Sequence, residues 1–277
     1  MRQNENLEHF DYTHALDSLK KLLREEAGPL VLEFRKNKPM RVRTKETYAD
    51  ILTEADTLSE EIIRGYLQKA YPTHAIFGEE GTDNGGSNSR FEWFIDPIDG
   101  TIPYVSGGEN FGICVGLLEN GTPVLGIIFY PAKNKMLHAI QGRGAFLNGE
   151  RIRNTKQRVD INNAVVALAA PAGPGSSDYI DRYVKPVSER VRSLVFSGSY
   201  SADTLQFVEG ALDAVVLANA TPFDVVATMA IASEAGYEVC GLEKGAIDFH
   251  KKKVPVMYSS TKELEKKLLK FLEPASA

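Results

Sequence analysis

The sequence is poor in cysteine. Its two, Cys114 and Cys240, each stand alone among apolar or small neighbours, with no CxxC spacing. That argues against a disulfide framework and a zinc ribbon and fits a reducing, cytoplasmic setting. Both read as buried small hydrophobes. Histidine is sparse too: His9, His14, His74, His138 and His250 are scattered and read as structural or surface residues. No long basic block is present. The run Lys251–Lys253 is short and net charge is −5, so binding to nucleic acid through its phosphates is not indicated. No stretch of about 18 apolar residues exists, so no membrane span is expected. The opening MRQNENLEHF is polar and lacks the apolar core of a signal peptide. Neither an internal repeat nor a low-complexity linker interrupts the chain.

What is there is ordinary globular material: 277 residues, 43% hydrophobic and 25% charged. At about 150 residues per domain this gives roughly two halves. Leu16, Leu19, Leu22 and Leu23 share one face of a helix over Tyr12–Glu26, which Gly28-Pro29 should interrupt. Arg35–Thr47 reads as an exposed loop. A second helix is expected over Thr57–Tyr71, with Leu58, Ile62, Ile63 and Leu67 inward and Thr57-x-x-Glu60 as its capping box. From Ala75 the period changes to short apolar runs at 75–77, 91–95, 111–118, 124–130 and 135–140. Asn120-Gly121 marks a hairpin turn, and 142–154 closes an antiparallel sheet. Beyond residue 155, strands at 165–170, 193–196, 214–217, 237–240 and 254–258 alternate with helices at 202–212, 222–235 and 262–272, an α/β layer. Residues 1–154 thus form an α+β half and 155–277 an α/β half.

Carboxylates gather in three places. Gly78-Glu79-Glu80-Gly81 follows a strand. Asp96-Pro97-Ile98-Asp99-Gly100-Thr101 ends another. Pro222-Phe223-Asp224 opens a largely apolar helix. Singly, each has a plain explanation: a solvated turn, turn-forming Asp, Pro and Gly, a favourable charge at a helix start. Together they gain a second one. Strand ends in a layered fold share an edge, and crowded carboxylates raise each other's pKa unless a cation lies among them. Carboxylate, carbonyl and water ligands suit Mg²⁺ or Mn²⁺, and no His or Cys is near enough to suggest zinc. Gly100-Thr101 offers backbone N–H groups to an anion. Carboxylates, cation and anion seat are the parts of metal-assisted phosphoryl transfer.

With these motifs in view the sequence resembles the inositol monophosphatase family of metal-dependent, lithium-sensitive sugar phosphatases. The matching residues are Gly78-Glu79-Glu80, Asp96 to Thr101, Phe223-Asp224 followed by Glu234-Ala235-Gly236, and the spacing of Lys45, Asp50, Thr53 and Asp56. Residues 121–153 resemble the family's sheet and hairpin. The resemblance implies a layered αβαβα sandwich, usually a homodimer, acting on a small phosphorylated metabolite with two to three Mg²⁺ ions. It implies that Glu79, Asp96, the Ile98 carbonyl and Thr101 hold one ion, and that Asp96, Asp99 and Asp224 hold a second. Glu79 would contribute to a third. Thr101 with Asp56, or Glu79, would take a proton from the attacking water. Gly100 and Thr101 would hold phosphate oxygens, and Lys45 would lie on a loop over the metals. No phospho-enzyme is expected.

Four places depart from the family's wording. Phe223 replaces a tryptophan, and Pro103-Tyr104 replaces Asn-Phe. Leu217 stands where inositol-specific members have an acidic residue that binds substrate hydroxyls, so discrimination for a polyol should fall. Tyr200, beside Ser199, replaces a small residue and either enters the core or narrows the leaving-group pocket. The substrates open to the chain are inositol phosphate, fructose 1,6-bisphosphate, a 3′(2′),5′-bisphosphate nucleotide and histidinol phosphate. A non-catalytic scaffold for a partner such as transcription machinery is the remaining alternative.

Overall fold

The computed structural model describes residues 10–36, 42–45, 51–81, 89–169, 173 and 175–272. His9 and Asp50, and most of the loop expected after Lys36, lie outside them. Helix α1 (Tyr12–Leu22) is capped by Asp11, whose carboxylate accepts the N–H groups of Thr13 and His14, both at 3.0 Å. It does not stop at Gly28-Pro29. A π turn, Leu23–Ala27, carries it into α2 (Gly28–Lys36). The wider turn is where the missing Pro29 N–H is absorbed. Gly28 is needed because a Cβ there would strike the Phe129 ring. Strands β1 (Val42–Thr44) and β2 (Ile51–Thr53) pair as an antiparallel ribbon.

Helix α3 (Glu54–Ala70) starts three residues before the expected Thr57. Its box is Thr53 with Asp56, not Thr57 with Glu60. Ile63 and Leu67 are buried as expected, yet Leu58 and Ile62 are only half so, while Asp56, Ser59 and Glu60 are buried instead. The inward stripe has the helical period but turns polar where it nears the strand ends.

The larger sheet runs in the order of the chain: β3 (Ala75–Gly78), β4 (Phe91–Asp99), β5 (Gly112–Glu119), β6 (Thr122–Tyr130), β7 (Lys135–Ile140), β8 (Gly144–Leu147) and β9 (Glu150–Ile152). It is mixed, not wholly antiparallel as expected, because β3 pairs parallel with β4. The β5–β6 turn has positive φ at both Asn120 and Gly121, as a tight hairpin requires. Between β4 and β5 lies a single turn of helix, α4 (Thr101–Val105).

The second sheet has the order β11-β10-β12-β14-β13, from β10 (Val165–Leu168), β11 (Ser193–Val195), β12 (Ala214–Leu217), β13 (Glu238–Gly241) and β14 (Val256–Ser259). Helices α7 (Tyr200–Val208) and α8 (Pro222–Glu234) lie between the sheets. A segment absent from the sequence expectations, α5 (Ser176–Tyr179) through a π turn to α6 (Lys185–Ser188), joins α9 (Lys262–Leu272) on the outer face.

The burial pattern explains the layering. Along β5, Ile113, Val115 and Leu117 face the α1–α3 core, whereas Cys114 and Leu118 face the helices between the sheets. A strand apolar on both sides must be covered on both sides. Helix α8 is buried nearly all round, with Val225 and Met229 toward the second sheet and Ala227 and Ile231 toward the first. The result is the αβαβα sandwich. No helix among the described residues is long and apolar enough to cross a membrane.

Candidate active site

Strand β4 breaks the alternation of its own side chains. Asp96 lies opposite Cys114 and Asp99 opposite Gly112, so three steps on β4 face two on β5. Residues three apart on a regular strand point to opposite faces. The extra residue of this bulge brings Asp99 back to the side of Asp96. Pro97, which has no N–H to give a ladder, sits within it. Asp96 then accepts the Ile98 N–H at 3.0 Å, and Ser59 donates to the Pro97 carbonyl at 3.3 Å, which fixes the bulge from both sides.

Asp99 is held by the start of α7. Its carboxylate accepts the Ser199 hydroxyl at 2.5 Å and the N–H groups of Ser201 at 2.6 Å and Tyr200 at 3.1 Å. These are among the N–H groups that a helix start leaves without an internal partner. Ser199 is the N-cap of the same helix and accepts the Ala202 N–H at 3.0 Å.

Asp56 and Asp224 arrive by one repeated device. Each is the third residue of its helix and closes a capping box with a threonine three positions earlier. Asp224 Oδ2 accepts the Thr221 N–H at 2.5 Å and its hydroxyl at 2.8 Å. Asp56 Oδ2 does the same with Thr53, at 2.9 and 2.5 Å. One oxygen of each carboxylate is thus committed to the cap. The other is left outside the cap: Asp224 lines the cavity, and Asp56 Oδ1 lies 3.5 Å from the Thr101 hydroxyl.

The height of Asp224 is set by two glycines that sequence patterns did not single out. Gly116 on β5 and Gly126 on β6 are register partners. A Cβ on Gly126 would collide with the Ala227 carbonyl, and one on Gly116 would lie 2.7 Å from the Ala227 N. The backbone of α8 therefore rests directly on the sheet, two to three residues past Asp224.

The GEEG stretch has a comparable reason. Glu60, buried on α3, accepts the Glu80 N–H at 2.8 Å and pairs with Arg64 at 2.9 Å. A side chain at Gly78 or Gly81 would run into the Glu60 carboxylate. Lys45 reaches over this turn and donates to Glu79 at 2.9 Å and Glu80 at 2.5 Å.

Asp96, Asp99 and Asp224 come together with ligand oxygens within 4.8 Å of one another. Two unit charges at 4.8 Å repel by roughly 3.5 kcal/mol at an effective dielectric of about 20. Several such pairs rival the entire stability of an ordinary domain, so the cluster must take up protons or a cation. The titration follows. Burial, then the charges of Glu79, Asp99 and Asp224, push Asp96 well above the usual carboxylate range. Burial raises Asp99 as well, against the hydrogen bonds from Ser199, Ser201 and Tyr200. Asp224 is pushed up to about 7 and Asp56 to about 6, chiefly by loss of water contact. Glu80 rises to about 7 for the same reason. Hard oxygen donors at this separation fit a small divalent cation, and the neighbouring Cys114 thiol, raised by burial and these same charges, stays protonated.

A cavity of about 300 Å³ opens on the cluster. Glu79, Asp96, Ile98, Asp99, Gly100 and Thr101 line it on the metal side, and Ala169, Gly198, Ser199, Tyr200 and Asp203 on the other. Gly100 has φ +88°, and a Cβ there would meet the Asn110 carbonyl and Ser199, so the close approach requires glycine. Tyr200 is half-buried and does two things at once, packing on the second core and lining the cavity. Leu217 is a correction. It lies on β12 opposite Val256, fully buried in that core, and is not part of the wall. An apolar side chain on a central strand follows the alternation into the core, so Leu217 cannot be a substrate contact. Asp203 was not anticipated; its place on the inward face of α7, between buried Ala202 and Leu205, was the available signal.

The inositol monophosphatase family model matches residues 9–276. The chain belongs to the inositol monophosphatase family. That membership makes it a phosphatase. It is 33% identical over 221 residues to the fructose-1,6-bisphosphatase/inositol-1-monophosphatase of Thermotoga maritima, covering 80% of this chain and 82% of that one. Among solved structures, the extragenic suppressor protein SuhB from Bartonella henselae matches with a TM-score of 0.84 at 26% identity, over 94% of this chain and 99% of that one. An IMPase/NADP phosphatase crystallised with Mg²⁺ and phosphate shares the fold, with a TM-score of 0.82 at 23% identity over 95% and 96% of the two chains. The inositol monophosphatase fold thus extends over both sheets, and the carboxylate cluster lies where the end of β4 meets the start of α8.

Proposed function

We propose that this chain hydrolyses a small-molecule phosphate monoester by in-line attack of water, with Mg²⁺ as cofactor. The observation that carries the reading is the convergence of Asp96, Asp99 and Asp224 within 4.8 Å, each already braced by its own hydrogen bonds. Asp96, Asp99, Asp224, Glu79 and the Ile98 carbonyl are the donors that would hold the ions. When bound, a divalent cation neutralises phosphoryl oxygens and makes water a better nucleophile near neutral pH. The protein's own residues do the rest. The Thr101 hydroxyl donates to the Ile98 carbonyl at 3.2 Å and lies within reach of Asp56, so a proton taken at Thr101 has a carboxylate to pass to. Asp56, at about 6, is a base matched to neutral pH. Gly100 and Thr101, at the start of α4, present backbone N–H groups to phosphate oxygens. Lys45, bridging Glu79 and Glu80, carries positive charge to the rim. Ser199 and Tyr200 shape the leaving-group side. A scaffold with no chemistry would have no use for carboxylates crowded against one another.

The test is inorganic phosphate release from a panel of monoesters, a diester control included, before and after EDTA treatment and with Mg²⁺ restored. Hydrolysis of monoesters that vanishes with EDTA and returns with Mg²⁺ is expected. Activity indifferent to Mg²⁺ would overturn the reading.

A further inference from the structure

The two sides of the cavity differ in kind. On the leaving-group side, two polar side chains are already spent. The Ser199 hydroxyl donates to Asp99 at 2.5 Å. Asp203 is 1% exposed and is engaged by the Ser197 hydroxyl. What remains for a ligand is largely apolar: Ala169, Gly198 and, on α4, Ile102, which is 49% exposed. The turn before α7 rests on α4, since a Cβ on Gly198 would lie 3.1 Å from the Pro103 ring. Phe196, 43% exposed, stands two residues before Gly198. Among the described residues four large apolar side chains are exposed, and two of them stand on these touching segments. Apolar surface left in water at the rim of a cavity marks a binding surface. Among the described residues that line the cavity there is no Lys, Arg or His. A second phosphate on the ligand would find no cation there, and hydroxyls laid against the Ile102 side chain would give up water without gaining a partner.

We infer that the alcohol half of the substrate is recognised by apolar contact with Ile102 and Phe196, so that the preferred substrate is a monoester of an alcohol with an alkyl or aryl body and no second anionic group. This rests on the phosphatase reading above and narrows its substrate class. The phosphate is anchored at the carboxylate cluster and the body of the alcohol leaves the cavity past Ile102. With Leu217 in the core, strand β12 offers no acid to bind a hydroxyl, and the wall selects by the area it covers. Selection of that kind is graded: it grows with each carbon atom removed from water.

The experiment measures kcat/KM with Mg²⁺ for ethyl, butyl and hexyl phosphate, whose alcohols differ only in apolar length, and for myo-inositol 1-phosphate and fructose 1,6-bisphosphate. It does so in the wild type, Ile102→Asn and Phe196→Ser. Each methylene that reaches the wall should raise kcat/KM roughly two- to fourfold, so hexyl phosphate should exceed ethyl phosphate by roughly tenfold or more. It should also exceed both sugar esters. Ile102→Asn should cut the hexyl-to-ethyl ratio roughly fivefold, mainly through KM, and Phe196→Ser should cut it less. Both side chains are exposed, so Tm should hold in each variant. A ratio unchanged in both variants, or one that falls only together with Tm, overturns the inference. A wild type with no gain from ethyl to hexyl, or one that prefers either sugar ester, overturns it and leaves the phosphatase reading standing. A wild type inactive on every ester with Mg²⁺ overturns both.

Discussion

At the scale of single residues, the cluster's chemistry is a contest between repulsion and what relieves it. Asp99 is held by three donors on α7, so Asp99→Asn should keep the fold while kcat falls at least a thousandfold. Phosphate release and circular dichroism measured together check this. The raised carboxyls also predict the pH dependence of stability. Asp56 at about 6, and Glu80 and Asp224 at about 7, bind protons more tightly folded than unfolded, where carboxylates titrate near 4. Without a cation, stability is therefore highest at acid pH and declines as pH climbs through 6 and 7. Bound Mg²⁺ needs the charged forms, so the gain in Tm on adding Mg²⁺ should grow from pH 5.5 to 8. A gain that shrank over that range would mean the ion binds elsewhere. The carboxylates were visible in the sequence because three acidic stretches at the ends of elements are unusual together, although each alone is ordinary turn or helix-start chemistry. Asp203 was not, because one acid in a first turn looks like a helix-start charge until its burial is known.

At the scale of elements, the caps and the glycine seat do the positioning. Thr221→Ala should cost about 1 kcal/mol of stability and weaken Mg²⁺ binding roughly tenfold, with Thr221→Ser restoring both in calorimetric titration. Gly126→Ala pushes a methyl into the α8 backbone. Overpacking of this kind costs about 1–3 kcal/mol, and Mg²⁺ affinity should fall with it. Most elements were legible from periodicity, since burial on one face or two leaves a plain record. The failures have local causes. Pro29 reads as a break, but a π turn accommodates it. Thr57-x-x-Glu60 has the spacing of a capping box, yet Thr53 with Asp56 takes that role and spares Glu60 for the Glu80 amide. The bulge at Pro97 left no sign of its register, which depends on the partner strand.

At the scale of the whole molecule, the two sheets share the helices that cover their facing apolar surfaces. Helix α8 packs on both sheets, and Asn154 at the junction donates from its backbone to the Ala235 carbonyl at 2.8 Å and from its side chain to Ser260 at 2.7 Å. Residues 1–154 expressed alone should expose the face of β5 and β6 that α8 covers, bind hydrophobic dye and aggregate. The full chain should melt in one calorimetric transition that Mg²⁺ moves upward as a unit. Two transitions, of which Mg²⁺ moved only one, would show the halves to be independent. The layered architecture followed from the order of strands and helices. The meeting of Asp224 with Asp96 and Asp99 did not, because it depends on how far apart two sheets stand.

On the side of the first sheet that distance is set by close approach of the α8 backbone at Ala227 to Gly116 and Gly126. It works as a machinist's datum surface: a reference that stays put while everything measured from it is recut. Substitutions elsewhere on α7, α8 and the second sheet can remodel the leaving-group wall without shifting the spacing of the carboxylates. One hydrolytic centre can therefore be fitted to many alcohols, and a change of substrate need not be a change of mechanism.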